Sequence, residues 1–414
     1  MKEDTRINLA SKRTEYASLI TLLLVALMIR LFLFQIQGYK EDLNFYISWL
    51  QTAADSGLRL FYNNIECDYP PFNVYLFLLF GYLAKSLSLF GSSQITFIVK
   101  LIPSLFDIAT VYLIFVFVRV RSNLKVSLIA AAAYAFNPAV IFTSSIWGQF
   151  DSIYTFFLLL SFGLFFSSKL SLSVSTFTLA VLSKPQSIAL APLMALLIYK
   201  KYGLRGILTS SILIAGTTVL VILPFQWENP ITFLKEIYLL GYGRFPYTSV
   251  NAFNFWGLFG MWNPDTQGIL FFNPYILGWI MFIVVTFYTL DVVDERMSSS
   301  GEKLVFFSAF ILLFSFFMLP TRIHERYSFP SLSFLAVMIP FLRRVRVIYG
   351  VVSVTLLINL AYVMMRLNSL TPLLNGDPVV FCVSLANTIL FGYGLVLLWR
   401  ETKKMESPRR LSLS

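Results

Sequence analysis

Apolar runs long enough to cross a bilayer recur along this chain, and they limit its fold more than any other feature. They lie near 17–36, 71–90, 95–118, 126–142, 151–167, 171–199, 206–224, 273–291, 304–319, 328–342, 347–365 and 379–399. A hydrocarbon core about 30 Å thick takes about 20 apolar residues of helix, and 57% of the chain is hydrophobic against 13% charged. The expectation is an all-α, polytopic helical membrane protein. No internal repeat, low-complexity tract or soluble segment divides it, so 1–414 reads as a single integral-membrane domain. The N-terminal apolar run lacks a small-residue cleavage site, so it is expected to be a retained first helix.

The net charge of +11 is what basic residues bordering membrane helices produce, and nucleic acid is excluded as a partner on that ground. Cys67 stands in a polar loop and Cys382 inside an apolar run, which argues against a disulfide or a thiolate metal site, and the single histidine argues against a His-rich zinc site.

Basic residues set the orientation. If every run crossed once, "RVRSNLK" (119–125) would fall outside, against the positive-inside rule. The conflict disappears if 71–90 is a re-entrant or interfacial helix and 171–199 is a hairpin broken at "SKPQS", where Pro185 disfavours helix before it. About twelve transmembrane segments then follow, with both termini inside and 21 of the 32 basic residues on the inner side. The long outer loops are 37–94 and 225–272, and loops of that length are uncommon unless functional.

Those loops, with the short outer turns, hold the unusual chemistry. Glu41 and Asp42 follow the first helix in what reads as an amphipathic surface helix, and a carboxylate at a cavity mouth is suited to accept a proton from an attacking hydroxyl. "CDYPPF" sets Asp68 before a rigid turn, and "WGQFD" (147–151) interrupts two apolar runs with Gln149 and Asp151 beside Trp147. These groups suit sugar hydroxyls, a basic neighbour and a sugar face. Lys184 in "SKPQS" and Arg322, His324 and Arg326 in "TRIHERY" border the membrane, where ionisable groups line a cavity or meet a partner. Cations there suit a lipid phosphate. The alternative is structural, with Glu325 pairing an arginine and Lys184 snorkelling.

In this order the motifs resemble those of the multi-spanning glycosyltransferases of the C superfold (GT-C), which use polyprenyl-phosphate sugars. The chain is most similar to the branch containing the dolichyl-phosphate-glucose glucosyltransferases of N-glycan assembly. The resemblance runs from about 17 to 332, through the acidic pair Glu41 and Asp42, "DYPP" (68–71), "NPAVIFTSSIWGQFDS" (137–152), "LSKPQSIALAPL" (182–193), "SVNAFNFWGL" (249–258) and "RIHERYSFP" (322–330). It implies a catalytic module at 1–272 followed by transmembrane helices at 273–414. By the same resemblance Asp42 is the base of an inverting single displacement, a role Glu41 could share. His324 is then near the donor phosphate, with Lys184, Arg322 and Arg326 as phosphate partners. Asp68, Trp147, Gln149, Asp151, Gln186, Asn251 and Trp256 are the expected substrate-binding positions. The chain is shorter than eukaryotic members, "WGQFD" stands in place of a histidine-containing "HFQYN"-type stretch, and Arg326 stands where lysine is common. These departures favour a prokaryotic relative using glucose, mannose or another hexose.

The expected activity is hexose transfer from a polyprenyl-phosphate donor to a lipid-linked glycan or similar acceptor. It is placed on the extracytoplasmic side of the cell membrane, or in the endoplasmic reticulum membrane for a eukaryotic chain. A transporter or flippase for a lipid-linked anionic glycan, or a ligase, is the alternative. No nucleotide-binding fingerprint is present. Glu41 and Asp42 offer oxygens to a divalent cation, but too few further oxygen ligands accompany them to expect a cofactor. Beyond membrane lipid and the two substrates, no obligate protein partner is inferred.

Overall fold

The computed structural model describes residues 2–268, 273–371 and 376–404; the end of the 225–272 loop, at 269–272, and the basic Arg409 and Arg410 lie outside them. Helix α1 (Lys2–Leu33) leads into the packed pair α2 (Lys40–Asn64) and α3 (Pro71–Ser86), followed by α4 (Ile95–Arg119). Next come α5 (Leu124–Ala135) and the short α6 (Pro138–Ile141), which runs into a π-helical turn at Phe142–Trp147 and then α7 (Asp151–Phe166). Helix α8 (Leu170–Val181) is followed by a 3-10 turn at Pro185–Leu190, α9 (Ala191–Ile222), α10 (Pro230–Gly243) and a second 3-10 turn at Phe255–Leu258. The chain finishes with α11 (Pro274–Met318), α12 (Phe329–Met338), α13 (Arg343–Asn368) and α14 (Pro378–Lys404). The described residues form no strand, only isolated bridges.

The chain is a polytopic helical membrane protein. Among the described residues seven helices are long and apolar enough to cross a membrane, or eight if the bent pair Leu124–Ala135 and Pro138–Trp147 counts as one span. That is fewer than the twelve runs counted in the sequence. Asp151–Phe166, Leu170–Val181 and Phe329–Met338 are too short to span alone. Asp151–Phe166 and Phe329–Met338 are also mostly buried, so neighbours rather than lipid cover most of their apolar surface, whereas Leu170–Val181 buries one face only, at Ser173, Val174, Phe177, Thr178 and Ala180. Gly301, at φ 59°, divides α11 into two spans, Pro274–Met297 and Gly301–Met318; only glycine takes this left-handed backbone without strain.

Polar contacts sort the loops into two ends. At one end Arg119 bonds Glu15 (2.9 Å), Arg121 pairs with Glu302, Lys200 with Asp294 (2.8 Å), and Lys201 with Ser168 (2.9 Å). The segments assigned by charge to the inner side therefore meet. At the other end Phe72 N–H bonds the Leu182 carbonyl (3.1 Å), and Lys100, near the start of α4, bonds the carbonyls of Phe34 and Ile36 just past α1. The chain thus enters and leaves α2–α3 at the same end, as a re-entrant or interfacial pair requires.

Charges between the ends are compensated. Arg30 is fully buried, with Nε 3.4 Å from Asp107 Oδ2 and Nη1 on the carbonyls of Ala26 (3.1 Å) and Ala135 (2.9 Å). Ser144 Oγ donates to the same Asp107 oxygen at 2.6 Å, and Ser145 shares a hydrogen bond with Ser104 at 3.0 Å. Both serines belong to the π-helical turn, so the pair inside the bundle also fixes that turn. An ionisable group at this depth requires such partners.

Candidate functional site

Asp42 lies in the first turn of α2, on the same face as Tyr46 one helical turn later. Its Oδ2 accepts two hydrogen bonds, from Trp147 Nε1 (2.9 Å) and Gln149 Nε2 (2.7 Å). Gln149 Oε1 accepts in turn from Tyr46 Oη at 2.8 Å, and Tyr46 Oη lies 3.3 Å from Tyr69 Oη. Trp147 and Gln149 flank Gly148, which ends the π-helical turn at φ 87°. The approach is close on both sides: a Cβ on Gly148 would stand 3.2 Å from Leu43, and one on Gly38 would stand 2.7 Å from the Ile146 carbonyl. The connector after α1 therefore sits directly on the turn.

Beyond Tyr69 lies a knot of charge. Lys184, buried and in extended backbone between α8 and the 3-10 turn, reaches Asp151 Oδ2 at 3.0 Å and stands 5.1 Å above the Tyr69 ring. Asp151, fully buried at the start of α7, also faces Arg326 Nε at 3.5 Å. Arg326 Nη1 bonds Glu325 Oε1 at 2.7 Å, and His324 Nδ1 is 3.9 Å from the other Glu325 oxygen. Gln186 bonds Tyr327. Asp42, Trp147, Gln149, Asp151, Lys184, Gln186, His324 and Arg326 are thus gathered at one end of the bundle from four separate segments.

Four of the remaining sequence candidates stand elsewhere. Glu41 is exposed and accepts from Tyr39 Oη (3.0 Å), so it is not part of the Asp42 network. Arg322 is held by Asp265, at 2.8 and 3.3 Å, and lies 4.8 Å over the rings of Tyr242 and Tyr275. Asn251, at φ 64°, accepts from Trp262 (2.9 Å), and its carbonyl accepts from Asn359 (2.8 Å). Trp256 Nε1 donates to the Leu319 carbonyl at 2.6 Å. Trp256 thus ties the 244–265 loop to the end of α11, the Asn251 carbonyl ties it to α13, and Val250 N–H bonds the Ile323 carbonyl (2.9 Å) in the 321–327 segment. Asp68 is at the rim, 3.8 Å from Arg244.

Burial and charge act in opposite directions here. Burial pushes the Asp42 carboxyl above its ordinary value, while Arg326, the Trp147 hydrogen bond and Lys184 pull it back. Burial also raises Glu325, against Arg326. His324 is held well below its ordinary value by burial and by Arg326, Lys184 and Arg244, so it is neutral near pH 7. Among the described residues no group of three His, Cys, Asp or Glu side chains is placed to hold a metal ion. Cys67 and Cys382 are both free.

Several polar atoms of this cluster are buried without a hydrogen-bond partner in the chain: Asp151 Oδ1, Gln186 Oε1, Arg326 Nε and the Oη of Tyr154, whose ring lies 6.0 Å from Lys184 Nζ. Buried polar groups are nearly always satisfied, so their concentration at one point suits a polar ligand. Two surface concavities, of about 510 Å³ beside Leu196 and Asp291 and about 340 Å³ along Ser48 and Asp55, contain no residue of the cluster. Sequence reading did not single out Tyr46, Tyr69 or Tyr154 as site residues. The four-residue spacing of Tyr46 from Asp42 was the available signal for the first, whereas the others are read only once the segments meet. The chain matches no family model and no curated protein.

Proposed function

We propose that the chain is a polyprenyl-phosphate-hexose-dependent glycosyltransferase of the GT-C kind. It transfers glucose, mannose or a related hexose to a lipid-linked glycan or similar acceptor on the extracytoplasmic side of the cell membrane. The observation that carries this reading is Asp42: both of its hydrogen bonds fall on Oδ2, beside a buried cluster of cations and unmet polar atoms. The meeting of the two sets of loops at opposite ends of the bundle supports the twelve-pass topology, with the broken and short helices counted as passes.

In this reading an acceptor hydroxyl oxygen attacks the anomeric carbon from the Asp42 side. The bond from that carbon to the phosphate oxygen breaks, and its electron pair leaves on the phosphate. The hydroxyl proton passes to Asp42, which acts as general base. Trp147 and Gln149 fix the carboxylate through Oδ2 and leave Oδ1 to receive the proton. The phosphate gains one negative charge, stabilised by Arg326 and Lys184 on fixed elements. Neutral His324 donates a hydrogen bond to phosphate oxygen. Arg322 takes no part, since Asp265 holds it.

The test is transfer of labelled hexose from polyprenyl-phosphate-glucose and polyprenyl-phosphate-mannose to a membrane-lipid extract by the purified protein, with Asp42→Asn alongside. Label transfer that disappears in the variant is the expected result. No transfer from either donor by folded protein would overturn this reading in favour of a flippase or a ligase.

A further inference from the structure

Within the Asp42 cluster two cations, Lys184 and Arg326, stand against three carboxylates, Asp42, Asp151 and Glu325. Asp151 and Glu325 already occupy both cations. Fully ionised, the set is one charge negative before any ligand arrives. An incoming phosphate therefore needs a further positive group, and Arg322 cannot supply it without leaving Asp265 buried and unpaired.

One arginine at the rim is differently placed. Arg244 follows α10 in the loop that lies over the cluster, and its side chain is 41% exposed. Among the described residues its acidic neighbours are long contacts, 3.9 Å to Glu66 and 3.8 Å to Asp68, beyond hydrogen-bond length. The guanidinium lies 5.9 Å from the Phe245 ring, which meets the His324 ring edge-on at 5.4 Å. Arg244, Phe245 and His324 thus form a continuous path from the rim to the buried cluster.

We propose that Arg244 is the phosphate-recruiting residue of this site, exchanging its loose contacts to Glu66 and Asp68 for the phosphate of a polyprenyl-phosphate lipid. This rests on the glycosyltransferase reading for its ligand class. Glu66 and Asp68 hold the guanidinium at the rim in the ligand-free protein, and the planar fork of arginine matches phosphate oxygens on arrival. The polyprenyl chain remains in the membrane while its headgroup is drawn beneath Phe245.

The experiment is binding of a sugar-free polyprenyl monophosphate, and of the matching polyprenol, to the full chain in nanodiscs. Wild type is compared with Arg244→Gln, Arg244→Lys and the double variant Glu66→Gln with Asp68→Asn, and inorganic phosphate serves as a competitor. Expected are binding of the phosphate lipid only, a loss of about tenfold or more in Arg244→Gln, partial recovery in Arg244→Lys, tighter binding in the double variant, and no competition by millimolar inorganic phosphate. Unchanged binding in folded Arg244→Gln overturns the proposal, even where hexose transfer is observed. Arg244-dependent binding without transfer from any donor supports the phosphate site and overturns only the transferase reading. Competition by inorganic phosphate with no lipid binding overturns the lipid assignment.

Discussion

Arg322 and Asp265 form a two-point pair, with Nε 2.8 Å from one carboxylate oxygen and Nη2 3.3 Å from the other. Thr321 adds a third bond to the same carboxylate at 2.7 Å. Arg322 itself has a left-handed backbone at φ 65°, so the pair holds a conformation that a side-chain-bearing residue rarely adopts. Replacing Arg322 by alanine leaves the Asp265 carboxylate buried and unpaired, at a cost of about 3 kcal/mol. The expected outcome is a lower unfolding temperature in nanodiscs, with donor affinity per folded molecule unchanged. A selective rise in donor KM without loss of stability would return Arg322 to the phosphate.

Asp42 and Glu41 are adjacent in sequence and differ in environment, one bonded by Trp147 and Gln149, the other exposed. Asp42→Asn should lower kcat by about 10²–10⁴ fold, the range for a general base. Glu41→Gln should stay within about twofold of wild type, because an exposed group outside the network adds little. Parallel kinetics of the two variants decide between the carboxylates; a reversed order would move the base to Glu41.

A base must be ionised to act, and burial raises the Asp42 carboxyl. Activity should therefore rise with pH through a limb displaced above the ordinary aspartate value of about 3.9. Trp147→Phe removes a hydrogen bond that favours the carboxylate, which raises the folded-state value further and should move the limb to higher pH. The pH profile of kcat/KM measures both. A limb that stays in place in Trp147→Phe would detach the indole from the base.

Asp151 faces Lys184 and Arg326 together. In Asp151→Asn the two cations lose their common counterion and repel one another. The variant is expected to lose stability by a few kcal/mol, and Asp151→Asn with Lys184→Met should recover part of it. Unfolding temperatures of the single and double variants test the coupling; simple additivity would mean that the pair is not coupled through this carboxylate.

Much of the site was legible because polar residues inside apolar sequence are conspicuous: Gln149 and Asp151 between two runs, Lys184 before Pro185, and the cluster around His324. What the sequence did not show is which arginine is committed where. Arg322 and Arg326 are four residues apart, yet the partner that removes Arg322 lies 57 positions upstream, and that relation exists only after folding. For the same reason Asn251 and Trp256 read as substrate groups, although Trp262 and the Leu319 carbonyl already engage their side chains. The count of spans differed for another reason. Apolar composition registers burial by protein and burial by lipid alike, so the short α7, α8 and α12 read as runs of spanning length, although neighbouring helices cover most of α7 and α12. That the chain enters and leaves α2–α3 at one end was anticipated from charge, because it decides on which side "RVRSNLK" falls.

The turn at Phe142–Trp147 is wound five residues to a hydrogen bond instead of four, so it carries one residue more than the α-helix that would otherwise occupy its place. An α-helix advances about 100° per residue. Wound as an ordinary α-helix over the same six residues, the segment would carry the indole of Trp147 about that angle past its present bearing, away from Asp42, without altering a single residue that touches the carboxylate. The aim of the base is therefore encoded in the winding of this turn, and a substitution that tightened it to α-helical winding would act as an inactivating mutation even if every named side chain survived.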